Sequence, residues 1–243
     1  MSRVGIVAAL TAEARTLGPL PPAHPAVSPG APSIHTLRDG NLLAISGMGA
    51  QRATRAAHAL VGAGAQGLLS FGLAGALDPD LRAGVVLLPQ DVCDESGQVH
   101  TTYGPWRERL AAHARAGAQT QVRLGGVLLS VVHPLTSALS KSQARSQTGA
   151  HAVDMESFAI ARVAVEKGVT FAVARVVIDT AVDAVPNCVT RATDAYGEAN
   201  YARLAAGLLR TPTDLAALLR LARRYRPAMR SLRSLGQRGL GLS

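Results

Sequence analysis

One helix–strand unit constrains this chain more than any other stretch. Val153-Asp154-Met155-Glu156-Ser157 opens with acids, and the spacing predicts a helix over Met155–Glu166. Lys167-Gly168 supplies a turn, and an apolar strand, Val169–Ile178, runs into a further acid, Asp179. In open α/β sheets ligands bind outside the carboxyl ends of strands, which is where Asp179 stands. Two carboxylates delivered by one such unit can hold a sugar and protonate its leaving group. The same acids also read as a helix N-cap and a polar strand end, because negative charge is favoured at a helix N-terminus.

The rest of the chain repeats the alternation. Residues 3–10 read as a buried strand, and Gly18–Ser33, with six prolines, as an irregular connection. Ile34–Leu37 and Leu42–Ser46 flank Arg38-Asp39-Gly40-Asn41, a hairpin signal. Helices are expected over Ala50–Val61, Trp106–Ala116, Thr136–Gln147 and Ala192–Leu209, and strands over Gly67–Phe71, Gly84–Leu88 and Val122–Val132. Gly72-Leu73-Ala74-Gly75 reads as a small-residue turn. Thr211-Pro212-Thr213-Asp214 is a helix start, with an N-cap threonine, proline at the first position and an acid at the third. Interleaved strands and helices predict an α/β fold, a three-layer αβα sandwich. The expected division is a domain over residues 1–210 and a basic C-terminal helix and tail over 211–243.

Composition excludes several classes. The chain has 243 residues, 48% of them apolar, enough for a full core. No run of 18 uncharged apolar residues is present to span a membrane. Val4–Leu10 is short and is followed by Glu13 and Arg15, so it reads as a first strand and not a signal peptide. Cys93 and Cys188 need neither a disulfide nor a metal, and a cytoplasmic location is expected. The formal charge is +9, but seven arginines lie between Arg220 and Arg238 and no acid follows Asp214. The body is therefore near neutral, which argues against a nucleic-acid partner.

Other motifs carry possible chemistry. Glu13 follows the first strand by three residues; alone it reads as a solvated acid in a first helical turn. Gly47-Met48-Gly49 sits between a strand and a helix and fits a backbone approach to a ligand. It is not a dinucleotide fingerprint, since Arg52 stands at the third glycine position. Ser70-Phe71-Gly72-Leu73-Ala74-Gly75 offers a wall against which a flat base or ribose can lie, and is no nucleophile elbow. The seven histidines show no metal-ligand spacing. His133, before Pro134, reads either as a ligand contact or as an ordinary loop residue.

Taken in order, the strand before Glu13, GMG, SFGLAG, VDMES and RVVID resemble the purine nucleosidase/phosphorylase family, which includes the methylthioadenosine/S-adenosylhomocysteine nucleosidases. The resemblance covers roughly residues 3–185. It implies a twisted mixed sheet, no cofactor, and cleavage of an N-ribosidic bond to a purine. It implies that Glu13 activates the attacking water, Glu156 binds ribose hydroxyls with Met155 against the sugar, and Asp179 protonates the departing base at N7. Ala9 and Leu10 then lie beside the ribose and water, Met48 near the 5′ substituent, and Leu73, Ala74, Gly75 and His133 in the substrate wall. Asp179 has to carry a proton in the complex, which an apolar site favours. One acid, one base and a water between them resembles inverting glycoside hydrolysis.

Departures refine the expectation. Phosphorolytic relatives have an arginine where this chain has Ser70, which favours water as nucleophile. Leu73 replaces a serine common in the thioadenosine nucleosidases. The SFGLAG and VDMES variants with an arginine-rich C-terminal helix most resemble the hopanoid-biosynthesis-associated subgroup, which implies release of adenine from adenosylhopane. Leu215, Leu218, Leu219 and Leu221 among arginines suit either peripheral contact with an anionic bilayer or a helix docked on the body. A homodimer is expected from relatives. The alternatives are a methylthioadenosine/S-adenosylhomocysteine nucleosidase, a purine nucleoside phosphorylase, and a non-catalytic purine-binding or membrane-associated partner protein.

Overall fold

The strands of this chain pair mostly in parallel, and the site is assembled where their carboxyl ends converge. The computed structural model describes residues 3–24, 32–117, 120–184, 194, 196–197, 214–237 and 240. The strands are β1 (Val4–Ala8), β2 (Ile34–Thr36), β3 (Leu42–Ile45), β4 (Gly67–Ala76), β5 (Val86–Leu88), β6 (Asp91–Asp94), β7 (Val99–Thr101), β8 (Val122–Leu124), β9 (Val127–Ser130), β10 (Ala152–Asp154) and β11 (Thr170–Val177). The helices are α1 (Thr11–Ala14), continued by a 3-10 turn, then α2 (Ala50–Gly62), α3 (Gly104–Arg115), α4 (Ala138–Thr148), α5 (Ser157–Lys167) and α6 (Asp214–Gly236).

β4 organises the twisted mixed sheet. Its first half lies parallel between β1 and β11, with Ser70 opposite both Val7 and Val173. Its last residues leave β1 and pair antiparallel with β10, Gly75 opposite Val153. One strand thus joins the β2-β3-β1 edge to the β10-β9-β6-β7 edge, while β11 continues through β5 to β8. Helices cover both faces. α2 and α5 pack on one side, where Ala53, Ala56, Ala57 and Leu60 follow the spacing of one helical face. α3 and α6 pack on the other, around Trp106, Leu110, Ala228, Leu232 and Leu235.

The hairpin, α2, α3, α4, α5 and β11 fall where the sequence places them. Three expectations change. Gly72-Leu73-Ala74-Gly75 is not a turn but the second half of β4, which has to continue to reach β10. Val122–Val132 is not one strand: Gly125 and Gly126, at φ 87° and 83°, break it into β8 and β9, which pair with different neighbours. The short strands β6, β7 and β10 were not anticipated. The start signal at Thr211 lies outside the described residues, as does the helix over Ala192–Leu209 apart from residues 194, 196 and 197.

The second half of α6 docks on the body. Ala228, Leu232 and Leu235 are buried, and the Trp106 Nε1–H donates to the Leu240 carbonyl at 3.1 Å. The side chains of Leu215, Leu218, Leu219 and Leu221 lie outside the described residues. Among the described residues no helix is long and apolar enough to cross a membrane. Trp106 is fully buried, so Trp106→Ala is expected to cost about 3–5 kcal/mol of unfolding free energy, read by denaturant titration with circular dichroism.

Candidate active site

Three strand ends and two loops converge on a cavity of about 270 Å³. Ala9, Leu10 and Glu13 come from the end of β1 and α1, and Met48 from the loop after β3. Leu73, Ala74 and Gly75 come from β4. Asp154, Met155 and Glu156 come from the end of β10, and Ile178 and Asp179 from the end of β11. All the expected site residues line this cavity except His133, which is exposed and is not among the lining residues. Its neighbours Val131, Pro134 and Leu135 take that wall instead. None of the described lining residues is aromatic, and the apolar groups of this wall are aliphatic.

Glu13 is buried, not solvated. Its Oε2 accepts from the Leu10 N–H at 2.9 Å and its Oε1 from the Leu73 N–H at 2.8 Å. Burial pushes its carboxyl above the usual range, while Arg175 and the neighbouring backbone N–H groups pull the other way. Gly72, at φ 155°, makes this placement possible. A Cβ there would stand 2.5 Å from Glu13 Oε1 and 2.7 Å from Arg175 Nη1. Gly72→Ala is therefore expected to displace Glu13 and abolish turnover while leaving the secondary structure intact, checked by activity and far-UV circular dichroism.

The two acids that open α5 divide their work. Asp154 takes the capping role: it accepts from the N–H groups of Glu156 and Ser157 and from the hydroxyls of Ser130 and Ser157. Glu156 makes no such cap, and its Oε1 accepts from the Gly49 N–H at 2.8 Å. Gly49 of the GMG loop thus holds a carboxylate. Beneath both lies Arg175, which the sequence reading passed over as part of an apolar strand. Its Nη2 is 2.7 Å from Asp154 and 3.3 Å from Glu156, and it also donates to Ser70. Burial opposes its charge, but Asp154, Glu156 and Glu13 outweigh that and raise its pKa.

Burial also pushes the Glu156 carboxyl up, to about 7, with Asp154 and Glu13 adding to the rise against Arg175. In the role the resemblance implies, holding ribose hydroxyls, Glu156 has to be ionised. The affinity-sensitive rate constant kcat/KM is therefore expected to fall as pH drops below about 7, and the Glu13 shift steepens the same acid limb. A kcat/KM profile that stays flat down to pH values near the ordinary carboxylate range would contradict this.

Asp179 is not the isolated acid in apolar surroundings that was expected. Its Oδ1 accepts from the Ala76 N–H at 2.9 Å, and its Oδ2 lies 2.6 Å from Lys141 Nζ. Lys141 was missed by the sequence reading. The available signal was its rarity: it is one of two lysines among 25 basic residues.

The phosphorylase-superfamily pattern matches residues 3–211. The chain belongs to the phosphorylase superfamily. No curated protein matches it in a sequence comparison. Its fold is similar to that of the 5′-methylthioadenosine/S-adenosylhomocysteine nucleosidase from Neisseria meningitidis, solved with methylthio-immucillin-A. That match has 20% identity and a TM-score of 0.72 over 97% of this chain and 96% of the other. The Helicobacter pylori enzyme of the same name, with 19% identity, gives 0.70 over 97% of each chain. Futalosine hydrolase from the same organism, with 20% identity, gives 0.68 over 96% of this chain and 97% of the other. These structures share the α/β fold described above.

Proposed function

We propose that this chain is an N-ribosyl hydrolase that releases adenine from a 5′-substituted adenosine. The observation that carries the reading is the gathering of Glu13, Glu156 and Asp179 around one largely apolar cavity. Breaking an N-glycosidic bond builds positive charge on the ribose and negative charge on the base. Glu156 grips the ribose hydroxyls with Met155 against the sugar, Glu13 takes a proton from the attacking water, and Asp179 faces the base. Each general acid or base contributes about 10²–10⁴-fold. The solved nucleosidases and the futalosine hydrolase of similar fold support the same class of reaction.

Water is favoured over phosphate. Ser70 is fully buried, bonded to Ser157 and Arg175, and is not among the cavity-lining residues. Arg175 lines the cavity but is engaged by two carboxylates, so its charge is not free for a phosphate. Met48, near the expected 5′ substituent, and Leu10 and Leu73 line the cavity with apolar groups, which suits an apolar substituent. Adenosylhopane is the substrate we infer, with methylthioadenosine or S-adenosylhomocysteine as the alternative.

The test is adenine release from adenosylhopane, methylthioadenosine and S-adenosylhomocysteine, each with and without phosphate. Release from at least one, independent of phosphate, is expected, and Asp179→Asn is expected to lower it by about 10²–10⁴-fold. Strict phosphate dependence overturns the hydrolytic assignment, and no release from any of the three favours the binding-protein alternative.

A further inference from the structure

α4 is a polar helix, and Lys141 is the one buried residue along it. The residue is 1% exposed yet lines the cavity. A buried lysine on an otherwise solvated helix is costly unless it is paired. Here it is paired twice, with Asp179 Oδ2 at 2.6 Å and the Thr180 carbonyl at 3.0 Å. An ammonium has three donors, and these contacts use two of them.

The departing purine needs a donor at N7, where it offers only a lone pair. A carboxylate ion-paired to lysine has no proton of its own to give. The lysine beside it has. Lysine can also surrender a proton, which arginine cannot under these conditions. In a chain that otherwise uses arginine almost throughout, one of its two lysines stands in the cavity beside Asp179.

We propose that Lys141 is the source of the proton taken by the departing base, passed through Asp179. This rests on the nucleosidase reading above. As the water oxygen bonds to C1′, the bond from C1′ to N9 breaks and its electron pair enters the purine. N7 takes the proton from Asp179 Oδ2, which takes one from Lys141 Nζ. Glu13 accepts the proton lost by the water. After the base departs, solvent returns a proton to the lysine amine and removes one from Glu13, so the cycle closes with no net change in the protein.

The simpler role is a strut: Lys141 neutralises Asp179 and ties down the Thr180 carbonyl. Two variants separate the roles. Lys141→Arg keeps the cation but cannot release its proton, and Lys141→Met removes both. The charged groups lining the same cavity are Glu13, Asp154, Glu156, Asp179 and Arg175; Arg145 on α4 pairs with Asp78, and Arg224 pairs with Asp183 and donates to Thr180; both variants leave these in place.

Adenine release is measured for the wild type and both variants, using whichever of the three substrates the wild type cleaves. Lys141→Arg and Lys141→Met are each expected to lose about 10²–10⁴-fold in kcat at neutral pH, with KM changed only a few-fold. The Lys141→Met rate is expected to recover toward acid pH, where solvent supplies the proton that the lysine no longer can. Wild-type kcat in Lys141→Arg overturns the proposal in favour of the strut, as does a Lys141→Met rate that is unchanged at neutral pH. If Lys141→Arg does not fold, shown by its thermal transition, Lys141→Met alone decides. A wild-type protein that cleaves none of the substrates overturns the nucleosidase reading itself, and the proposal with it.

Discussion

Arg175 is the interaction on which the site depends. It sits on β11, the strand paired along the full length of β4's parallel stretch, and its guanidinium is buried beneath the cavity. Asp154 and Glu156 reach it from one side, and its charge also acts on Glu13 from the other. Removing one partner of such a buried group leaves an uncompensated charge, typically at a cost of about 3–5 kcal/mol. The cation therefore ties four separate pieces of chain together: the turn after β1, the middle of β4, the start of α5, and β11 itself. Ser70 and Ser157, bonded to each other at 2.8 Å and both to Arg175, complete the same junction.

Much of this was legible in the sequence because apolar periodicity and turn chemistry are local. The helix–strand unit from Met155 to Asp179 needed only spacing and Lys167-Gly168. Glu13 and Glu156 reach the cavity that the motif order implied. What failed was non-local. Gly72-Leu73-Ala74-Gly75 carries turn residues, but β4 continues through them because β10, far along the chain, pairs with its last residues. Gly125-Gly126 sits inside an apolar run, and only different neighbours on each side reveal two strands. Likewise Arg175 reads as one more residue of an apolar strand; its meaning depends on carboxylates 19 to 162 residues away. That span is read from Glu156 and Glu13 in the sequence.

His133 shows the opposite failure. A histidine next to a proline in a loop beside the base wall is a reasonable ligand contact from the sequence. In the fold its side chain faces out while Val131, Pro134 and Leu135 form the wall. The contact with chemistry comes instead from α4, where a helix was expected but its one buried side chain was not singled out.

The cavity's charge balance connects these residues to reaction chemistry. Four acids line it, Glu13, Asp154, Glu156 and Asp179, against two cations, Lys141 and Arg175. With all six ionised the lining is left with two uncompensated negative charges, and burial pushes the carboxyls of Glu13 and Glu156 up. A ligand that becomes positive in the site offsets that negative charge. On the proposed reaction the ribose acquires such charge as its bond to the base breaks, next to carboxylates that are already held in place by backbone N–H groups. Stabilisation of this kind is largest where the charged groups need no reorganisation and water is excluded. The strain of crowding four acids around two cations is then greatest in the empty site and least at the transition state, which is the direction a catalyst requires.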